Sequence, residues 1–383
     1  MNAQPLQVLS LLRLVVLPLA LVASLAWGQE NDALDIDDLK AFAEAWGRIK
    51  SQYVEPIDDH VLLEAAIRGM VSELDRHSSW LDEAQFARME ADALGRFGGL
   101  GVRIAIQPDH LQVVDTTPEG PAALAGLSPG DRILEIDGQT IVDGNSDAMA
   151  LALRGPAGST VELTVARVAS GREEKLLLTR QVIRQESVFW QVIDKDQALI
   201  RITSFQQTTA VELDRAVEAL LEAHEPRGVI LDLRGNPGGM VQAAVAVSDR
   251  FLDEGLIVSA QARETSEQER FEANPGALLT GLPMAVLIDN QSASAAEILA
   301  AALRDHERAT LIGERSYGKG SVQSIWPLSN GSALRLTTAR YRTPAGRDLE
   351  RAGVLPDIEV PYANAAGDAV LDAALDWMKK HNR

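Results

Sequence analysis

The sequence predicts a multidomain α/β (α+β) protein in which a helical region and a strand-rich module precede an α/β core. Three observations support this prediction. Apolar residues near the N-terminus recur every three or four positions, which is typical of amphipathic helices. Short strands separated by glycine-rich turns follow, and from about residue 198 strands and helices alternate. Such alternation implies parallel strands joined by helical crossovers, so the last part of the chain forms the α/β core.

Length and composition limit the alternatives. A chain of 383 residues with 46% hydrophobic residues can form two or three domains with sizeable cores. The absence of cysteine excludes disulfides, thiolate zinc sites and a lipoprotein-type cysteine. The formal net charge of −19 argues against nucleic acid and anionic membrane surfaces as partners.

Residues 1–28 have the pattern of a secretory signal peptide. Arg13 precedes an apolar run at 14–27 that is short for a membrane span, and small residues, Ala26 and Gly28, end it. An uncleaved anchor, which would leave the protein membrane-associated, is the alternative. We expect an exported protein, located in a bacterial periplasm.

The N-terminal helical region covers residues 29–95. We expect helices throughout 32–95, because "DALDIDDLKAFAEAWGRIKSQYV" and, after Pro56, "DDHVLLEAAIRGMVSEL" carry apolar residues at helical spacing.

The strand-rich module covers residues 96–181. The segments "GGLGVRIAI", "LQVVDT" and "TVELTVARV" have the composition of strands. The "GGLG" segment is either a tight turn or a backbone loop that captures the terminal carboxylate of a peptide added as an extra strand.

The core covers residues 182–383 and ends in a helix. Sites in parallel sheets lie beyond the C-terminal ends of the strands. Two segments occupy such ends: Asn236 to Gly239 after "GVILDLR", and Ser292 with Ser294 after "MAVLID".

Ser294 has two interpretations. With Glu297 it matches the S-x-x-E capping box of a helix N-terminus. It is a nucleophile only if a base activates it. No histidine of the chain lies in a glycine-rich or strand-end context that would aim it at Ser294. The six histidines are His60, His77, His110, His224, His306 and His381. No HExxH or similar spacing occurs, so we expect no metal site.

Lys319 is the alternative base. It lies between Gly318 and Gly320 in "GERSYGKGSVQ", where glycines allow close backbone approach. Burial lowers the pKa of a lysine and so permits it to act as a base. A solvated turn lysine is the other interpretation.

The glycines of "DLRGNPGG" can present backbone N–H groups to an anion. Together with the N–H of Ala295 they would form an oxyanion hole. A plain strand-to-helix turn is the alternative. Phosphate binding is disfavoured because the sequence contains neither the G-x-x-x-x-G-K-[ST] motif nor the G-x-G-x-x-G motif.

These segments together resemble the C-terminal processing peptidases, also called tail-specific proteases, which are exported serine proteases with a Ser–Lys dyad and an embedded PDZ domain. The resemblance extends from residue 53 to residue 360 and rests on "YVEPID", "LDRHSSWL", "GGLGV" with "GLSPGDRILEIDG" and "LRGPAGS", "LDLRGNPGG", "NQSASAAEILA", "GERSYGKGSVQ" and "YRTPAGRDLERAGVLPDIEV". Two positions depart from the family pattern. Arg76 replaces the usual proline and Leu349 replaces the commoner isoleucine.

The resemblance implies a crotonase-like α/β core with an inserted PDZ domain and no cofactor. It implies that Ser294 is the nucleophile, that neutral Lys319 is the general base and that Gln323 orients Lys319. It further implies an oxyanion hole from the N–H of Ala295 and of Gly238 or Gly239. The PDZ residues implied to bind the substrate C-terminus are Gly99, Leu100, Gly101 and Val102.

The resemblance also bears on partners. It implies protein or peptide substrates with free C-termini, gating by the PDZ domain, an adaptor in some members, and a homo-oligomer built through terminal helices such as 367–382. A non-catalytic PDZ scaffold is one alternative. A crotonase-type acyl-CoA enzyme is another, and the signal peptide argues against it because CoA chemistry is cytoplasmic.

Overall fold

The computed structural model describes residues 35–194, 196–263, 268–361 and 367–381. The predicted signal peptide, residues 1–28, lies outside the described residues. The chain divides into two compact units, Met1–Ala65 and Ala66–Arg383. Within the described ranges, no helix is both long enough and apolar enough to cross a membrane.

The described residues form helices and strands in a mixed order. The helices are α1 (Ile36–Gln52), α2 (Asp59–Ser72), α3 (Glu83–Ala93), α4 (Pro121–Leu124), α5 (Ser146–Ala152), α6 (Thr209–Ala223), α7 (Val241–Asp249), α8 (Ala295–Asp305) and α9 (Ala369–His381). The strands are β1 (Ser79–Leu81), β2 (Arg96–Gly99), β3 (Val102–Ile106), β4 (Leu111–Thr116), β5 (Arg132–Ile136), β6 (Gln139–Thr140), β7 (Thr160–Ala166), β8 (Glu173–Thr179), β9 (Gln181–Arg184), β10 (Val188–Ile193), β11 (Gln197–Ile202), β12 (Gly228–Asp232), β13 (Leu256–Ala262), β14 (Gln268–Glu272), β15 (Met284–Ile288), β16 (Thr310–Gly313), β17 (Ser321–Pro327), β18 (Ala333–Arg342) and β19 (Ile358–Glu359).

The predicted N-terminal helical region is helical over most of its length. The helix α1 is capped by Asp35, whose carboxylate accepts the N–H of Asp37 at 3.0 Å. The prediction of helix throughout is wrong at β1. There, Trp80 and Leu81 are buried and the strand pairs with β18. Burial and ladder hydrogen bonds outweigh the local helical pattern at this point.

The strand-rich module is a separate antiparallel sheet with its own core. Its strands lie in the order β3-β4-β5-β7-β8, and β6 pairs with β5. Leu111, Ile133 and Leu163 are completely buried in it. The strands β2 and β9 pair with each other outside this sheet. The module is therefore connected to the rest of the chain through two paired strands.

The α/β core contains a six-stranded sheet in the order β10-β11-β12-β15-β16-β19. In this sheet β10 is antiparallel to β11, and every other pair of neighbouring strands is parallel. Successive residues of β12 and β15 alternate between two hydrophobic clusters, one with α6, α7 and α8 and one with α9. Helices thus cover both faces, which confirms the α/β prediction.

A second, antiparallel sheet carries the strands beside the predicted catalytic lysine. Its order is β1-β18-β13-β14, and β17 pairs with β18. Ile257 and Tyr341 of this sheet share a hydrophobic core with Leu299 of α8. The helix α8 therefore packs against both sheets, which fixes the position of its N-terminus.

The C-terminal helix α9 covers the other face of the parallel sheet. Val370, Ala374 and Met378 are buried against strand residues such as Ile230 and Ile312. These apolar side chains of α9 are thus buried within the protein. The expected role of this helix in oligomerisation stays a prediction, and the contact would have to be made by the residues on its outer face.

Candidate active site

The two serines after β15 have different surroundings. The hydroxyl of Ser292 donates to the carbonyl of Leu233 at 2.9 Å and to Asp289 Oδ1 at 3.1 Å. Its carbonyl accepts the N–H of Tyr317 at 3.0 Å. Ser292 is therefore a structural residue that ties the β12, β15 and β16 loops together.

Ser294 occupies the position immediately before α8 with φ 56° and ψ −115°. A positive φ is uncommon for a residue with a side chain, and such strain concentrates at functional sites. The N–H of Ala295, the first residue of the helix, has no partner among the described residues. The positive end of α8 would stabilise negative charge at this point.

Glu297 holds the loop of Ser294 to the loop of Lys319. It is fully buried, and its two oxygens accept four hydrogen bonds. The N–H groups of Ser294 and Lys319 donate to Oε2 at 2.7 and 2.9 Å. The N–H of Gly318, at 2.7 Å, and the hydroxyl of Ser316 donate to Oε1. The glutamate half of the predicted capping box forms, because Glu297 accepts the Ser294 N–H, and the same carboxylate also anchors a second loop.

The glycines around Lys319 are required by close backbone contacts. A Cβ atom at Gly320 would lie 2.2 Å from the backbone nitrogen of Glu350. Gly318 has φ 86°, in the left-handed region that favours glycine. The loop before β17 thus passes directly against the segment after β18.

Lys319 is half-buried, and its environment favours the neutral amine. Burial lowers its pKa below the ordinary lysine value, and the positive charge of Arg335 lowers it further. Glu350 and Glu297 oppose this effect, while Arg76 adds to it. In the described part of the chain no hydrogen bond joins the Lys319 amine to the Ser294 hydroxyl.

The side chain of Gln323 makes no hydrogen bond to Lys319 in the described part of the chain. The Gln323 amide donates to Ser321 Oγ at 2.8 Å and to Thr337 Oγ1 at 3.5 Å. The register of β17 against β18 shifts between Val322 and Gln323. A bulge re-aims side chains locally, so sequence spacing from the lysine does not determine where this amide points.

The glycine turn after β12 lies against the start of α8. A Cβ at Gly238 would come within 3.0 Å of the Ala295 nitrogen and 2.9 Å of Ser294 Cβ. The N–H of Gly238 donates to Asn236 Oδ1 at 2.8 Å, whereas the N–H of Gly239 has no partner among the described residues. Gly238 thus lies directly against Ser294, while Gly239 retains an available donor.

The "GGLG" segment ends β2, and its last two residues, Leu100 and Gly101, connect β2 to β3. The carbonyls of Leu100 and Gly101 accept from Ala122 and Thr117, both at 2.8 Å. Within the described ranges, the N–H groups of Leu100 and Gly101 have no partner. Two adjacent free donors suit an anion such as a carboxylate. The other two predicted residues, Gly99 and Val102, pair with β9 and β4.

Sequence reasoning missed several residues near Lys319. Ser316 bonds Glu297 and accepts the N–H of Val354 at 2.7 Å. Glu350 accepts the N–H of Gly320 at 3.0 Å. The only available signal was their position inside the quoted motifs. Among the described residues, no cluster of histidine, cysteine and acidic side chains is arranged to hold a metal.

Three family models match the chain in sequence order. They are the CtpB activating-protease N-terminal domain over residues 22–84, the PDZ domain over 112–167 and peptidase family S41 over 196–360. The strand-rich module is thus a PDZ domain, and the molecule is of the serine-peptidase class with a PDZ domain ahead of its α/β core.

Individual relatives agree with these matches. A carboxy-terminal-processing protease of Bartonella bacilliformis is 39% identical over 333 residues, which cover 86% of this chain and 76% of the relative. The carboxy-terminal processing protease CtpA of Bacillus subtilis is 32% identical over 347 residues, which cover 90% of this chain and 74% of the relative. The solved photosystem II D1 C-terminal processing protease is 30% identical with a TM-score of 0.51, covering 84% of this chain and 86% of that one. The chain belongs to the carboxy-terminal processing protease family, which confirms the resemblance found in the sequence.

Proposed function

We propose that this protein is an endopeptidase that cleaves proteins near their C-terminal tails, with Ser294 as nucleophile and Lys319 as general base. One observation carries the proposal. The two residues come from loops after different strands, yet their N–H groups donate to the same oxygen of buried Glu297. A strained serine at a helix N-terminus and a lysine with a lowered pKa are thereby held in one site.

The chemistry follows from these two groups. Neutral Lys319 takes the hydroxyl proton as Ser294 Oγ attacks the scissile carbonyl carbon. The C–N bond then breaks, and Lys319 returns the proton to the leaving amine, which leaves an ester on Ser294. Lys319 next takes a proton from water as the water oxygen attacks the ester carbonyl carbon. The bond between that carbon and Ser294 Oγ then breaks, Lys319 returns the proton to Oγ, and the acyl product leaves with a new carboxyl group. Because the two side chains are not hydrogen-bonded here, they must approach to about 3 Å before reaction. This movement is where gating by the PDZ domain would act.

The developing negative charge needs donors next to Ser294. The Ala295 N–H is available at the positive end of α8. Between the two predicted glycines, Gly239 has the N–H without a partner, whereas that of Gly238 is engaged by Asn236. We therefore assign the second donor to Gly239 and give Gly238 the role of fitting against Ser294.

The PDZ domain supplies substrate selection in this proposal. The free N–H groups of Leu100 and Gly101 would bind the terminal carboxylate, and the peptide would pair as an added strand. Residues 29–95, 96–181 and 182–383 are assigned as the helical region, the PDZ domain and the protease core, and residues 1–28 as the signal for export to the periplasm.

The test uses an unfolded protein substrate with an apolar C-terminus. The mature protein should cleave it, and Ser294→Ala should not. An otherwise identical substrate with an amidated C-terminus should be cleaved with a higher KM, because it lacks the carboxylate. Equal cleavage by Ser294→Ala would refute the assignment of the nucleophile. Equal KM for the two substrates would refute carboxylate capture.

A further inference from the structure

A short turn before β1 brings two basic residues to the Lys319 loop. The carboxylate of Asp75 accepts the N–H groups of His77 and Ser78, each at 2.7 Å. The carbonyl of His77 accepts from Arg335 Nε at 3.1 Å, which ties this turn to β18. The positions of Arg76 and His77 are therefore set by backbone contacts on both sides.

Arg76 reaches toward the residues that flank Lys319. Its guanidinium lies 5.6 Å from the ring centroid of Tyr317 and 3.8 Å from Glu350 Oε1. Its Nε donates to His77 Nε2 at 3.1 Å, so this ring nitrogen carries no proton. Burial lowers the pKa of His77, and the charges of Lys319 and Arg76 lower it further, which agrees with a neutral ring.

Glu350 contacts the Lys319 loop from the other side. Its Oε2 accepts the N–H of Gly320 at 3.0 Å, while its Oε1 faces Arg76. The carboxylate is mostly buried, with 16% of the side chain exposed. One side chain thus holds the residue next to Lys319 and also brings a negative charge close to the amine.

The charges of four groups act on the amine of Lys319, and the neutral ring of His77 is in turn affected by the charge of that amine. Glu297 lies on α8, Arg335 on β18 and Glu350 on the segment after β18, whereas Arg76 and His77 lie on the turn before β1. Glu297 accepts hydrogen bonds from backbone N–H groups such as that of Lys319, and Arg335 donates a hydrogen bond to the carbonyl of His77. Arg76 is the cation that pairs with Glu350 among the described residues.

We propose that Arg76 and Glu350 are a positioning pair: Glu350 holds the Lys319 loop at Gly320, and Arg76 balances the charge of Glu350 so that Lys319 works as a base. The pair touches neither substrate nor reacting atoms and acts through Lys319. The proposal rests on the general-base role of Lys319.

The first measurement is the pH dependence of kcat/KM for Arg76→Gln, Glu350→Gln and the double variant. Gln at 350 keeps an oxygen for the Gly320 N–H. Arg76→Gln should move the rising limb to higher pH and reduce kcat/KM on that limb about two- to fivefold, as expected for one partly exposed charge. Glu350→Gln should move it to lower pH by a larger amount, because Glu350 acts more strongly on Lys319 than Arg76 does, and the double variant should lie between the two single variants. Arg172→Gln, an exposed charge removal in the PDZ domain, is the matched control and should leave the profile unchanged.

The second measurement titrates Lys319 without catalysis. Acetic anhydride labelling of Lys319 as a function of pH, measured by mass spectrometry in a Ser294→Ala background, reports the neutral fraction directly. Opposite shifts in Arg76→Gln and Glu350→Gln support the pair even if the wild type cleaves no substrate, in which case the proposed function alone fails. Unchanged titration in folded single variants, or shifts in the same direction, would overturn the pair.

Discussion

The main-chain N–H groups of Ser294 and Lys319 donate to one oxygen atom, Oε2 of Glu297, at 2.7 and 2.9 Å. Ser294 directly precedes α8, and Lys319 lies two residues before β17, so the two N–H groups come from different elements of the core. A single buried carboxylate therefore joins the loop of the proposed nucleophile to the loop of the proposed base.

Glu297→Gln should lower both stability and activity. The substitution replaces one acceptor oxygen by an NH₂ group, which would face backbone N–H donors in a buried site. We expect a loss of about 1–3 kcal/mol of unfolding free energy and a large fall in kcat. Denaturant unfolding and steady-state kinetics measure the two effects. Glu307→Gln, an exposed change beyond the end of α8, is the control and should alter neither.

Lys319→Ala should abolish cleavage while the protein stays folded, because the side chain is a half-buried group whose amine makes no hydrogen bond among the described residues. Lys319→Arg should not rescue activity, since guanidinium does not give up its proton. In the wild type, kcat/KM should rise with pH, with an apparent pKa below the ordinary lysine value of 10.5. A pH profile without such a rising limb would contradict Lys319 as the base.

Lys319→Met should raise stability at neutral pH although it removes activity. The pKa of Lys319 is lower in the folded chain than in the unfolded chain, so the unfolded chain binds more protons between the two values. Stability therefore rises with pH through that window, and below it the full cost of the buried ammonium remains. Thermal unfolding at several pH values should show a higher midpoint for the variant near pH 7 and a smaller difference above 10.5. A lower midpoint for the variant at every pH would show that the charged amine is stabilising.

Gly320→Ala should disrupt the Lys319 loop. Its new Cβ would lie 2.2 Å from the Glu350 nitrogen, a contact that only backbone movement can relieve. We expect a substantial fall in kcat and a lower unfolding midpoint. The matched control is Gly69→Ala in α2, where no atom lies within 4 Å of the new Cβ. That variant should gain about 0.5–1 kcal/mol from reduced backbone freedom. Equal effects of the two substitutions would show that this close approach is unimportant.

Much of this architecture was predictable because its signals are local. Helical spacing around Leu39 and Phe42, the buried runs of β12 and β15, and the glycines beside Lys319 all appear within short windows of sequence. The strand β1 was missed because three residues between helices carry no periodic signal. Its burial comes from pairing with β18, which lies far along the chain.

The sequence by itself determined the family, the order of its parts and the candidate pair Ser294 and Lys319, since these depend on residue type and spacing. Only the tertiary structure decided the partners of the side chains. It placed Glu297 on both loops, turned Gln323 toward Ser321 and Thr337, and brought Arg76 to Glu350. Hydrogen bonds and ion pairs act over a few ångströms between residues that are distant in sequence, so they follow from how strands and loops pack rather than from local pattern.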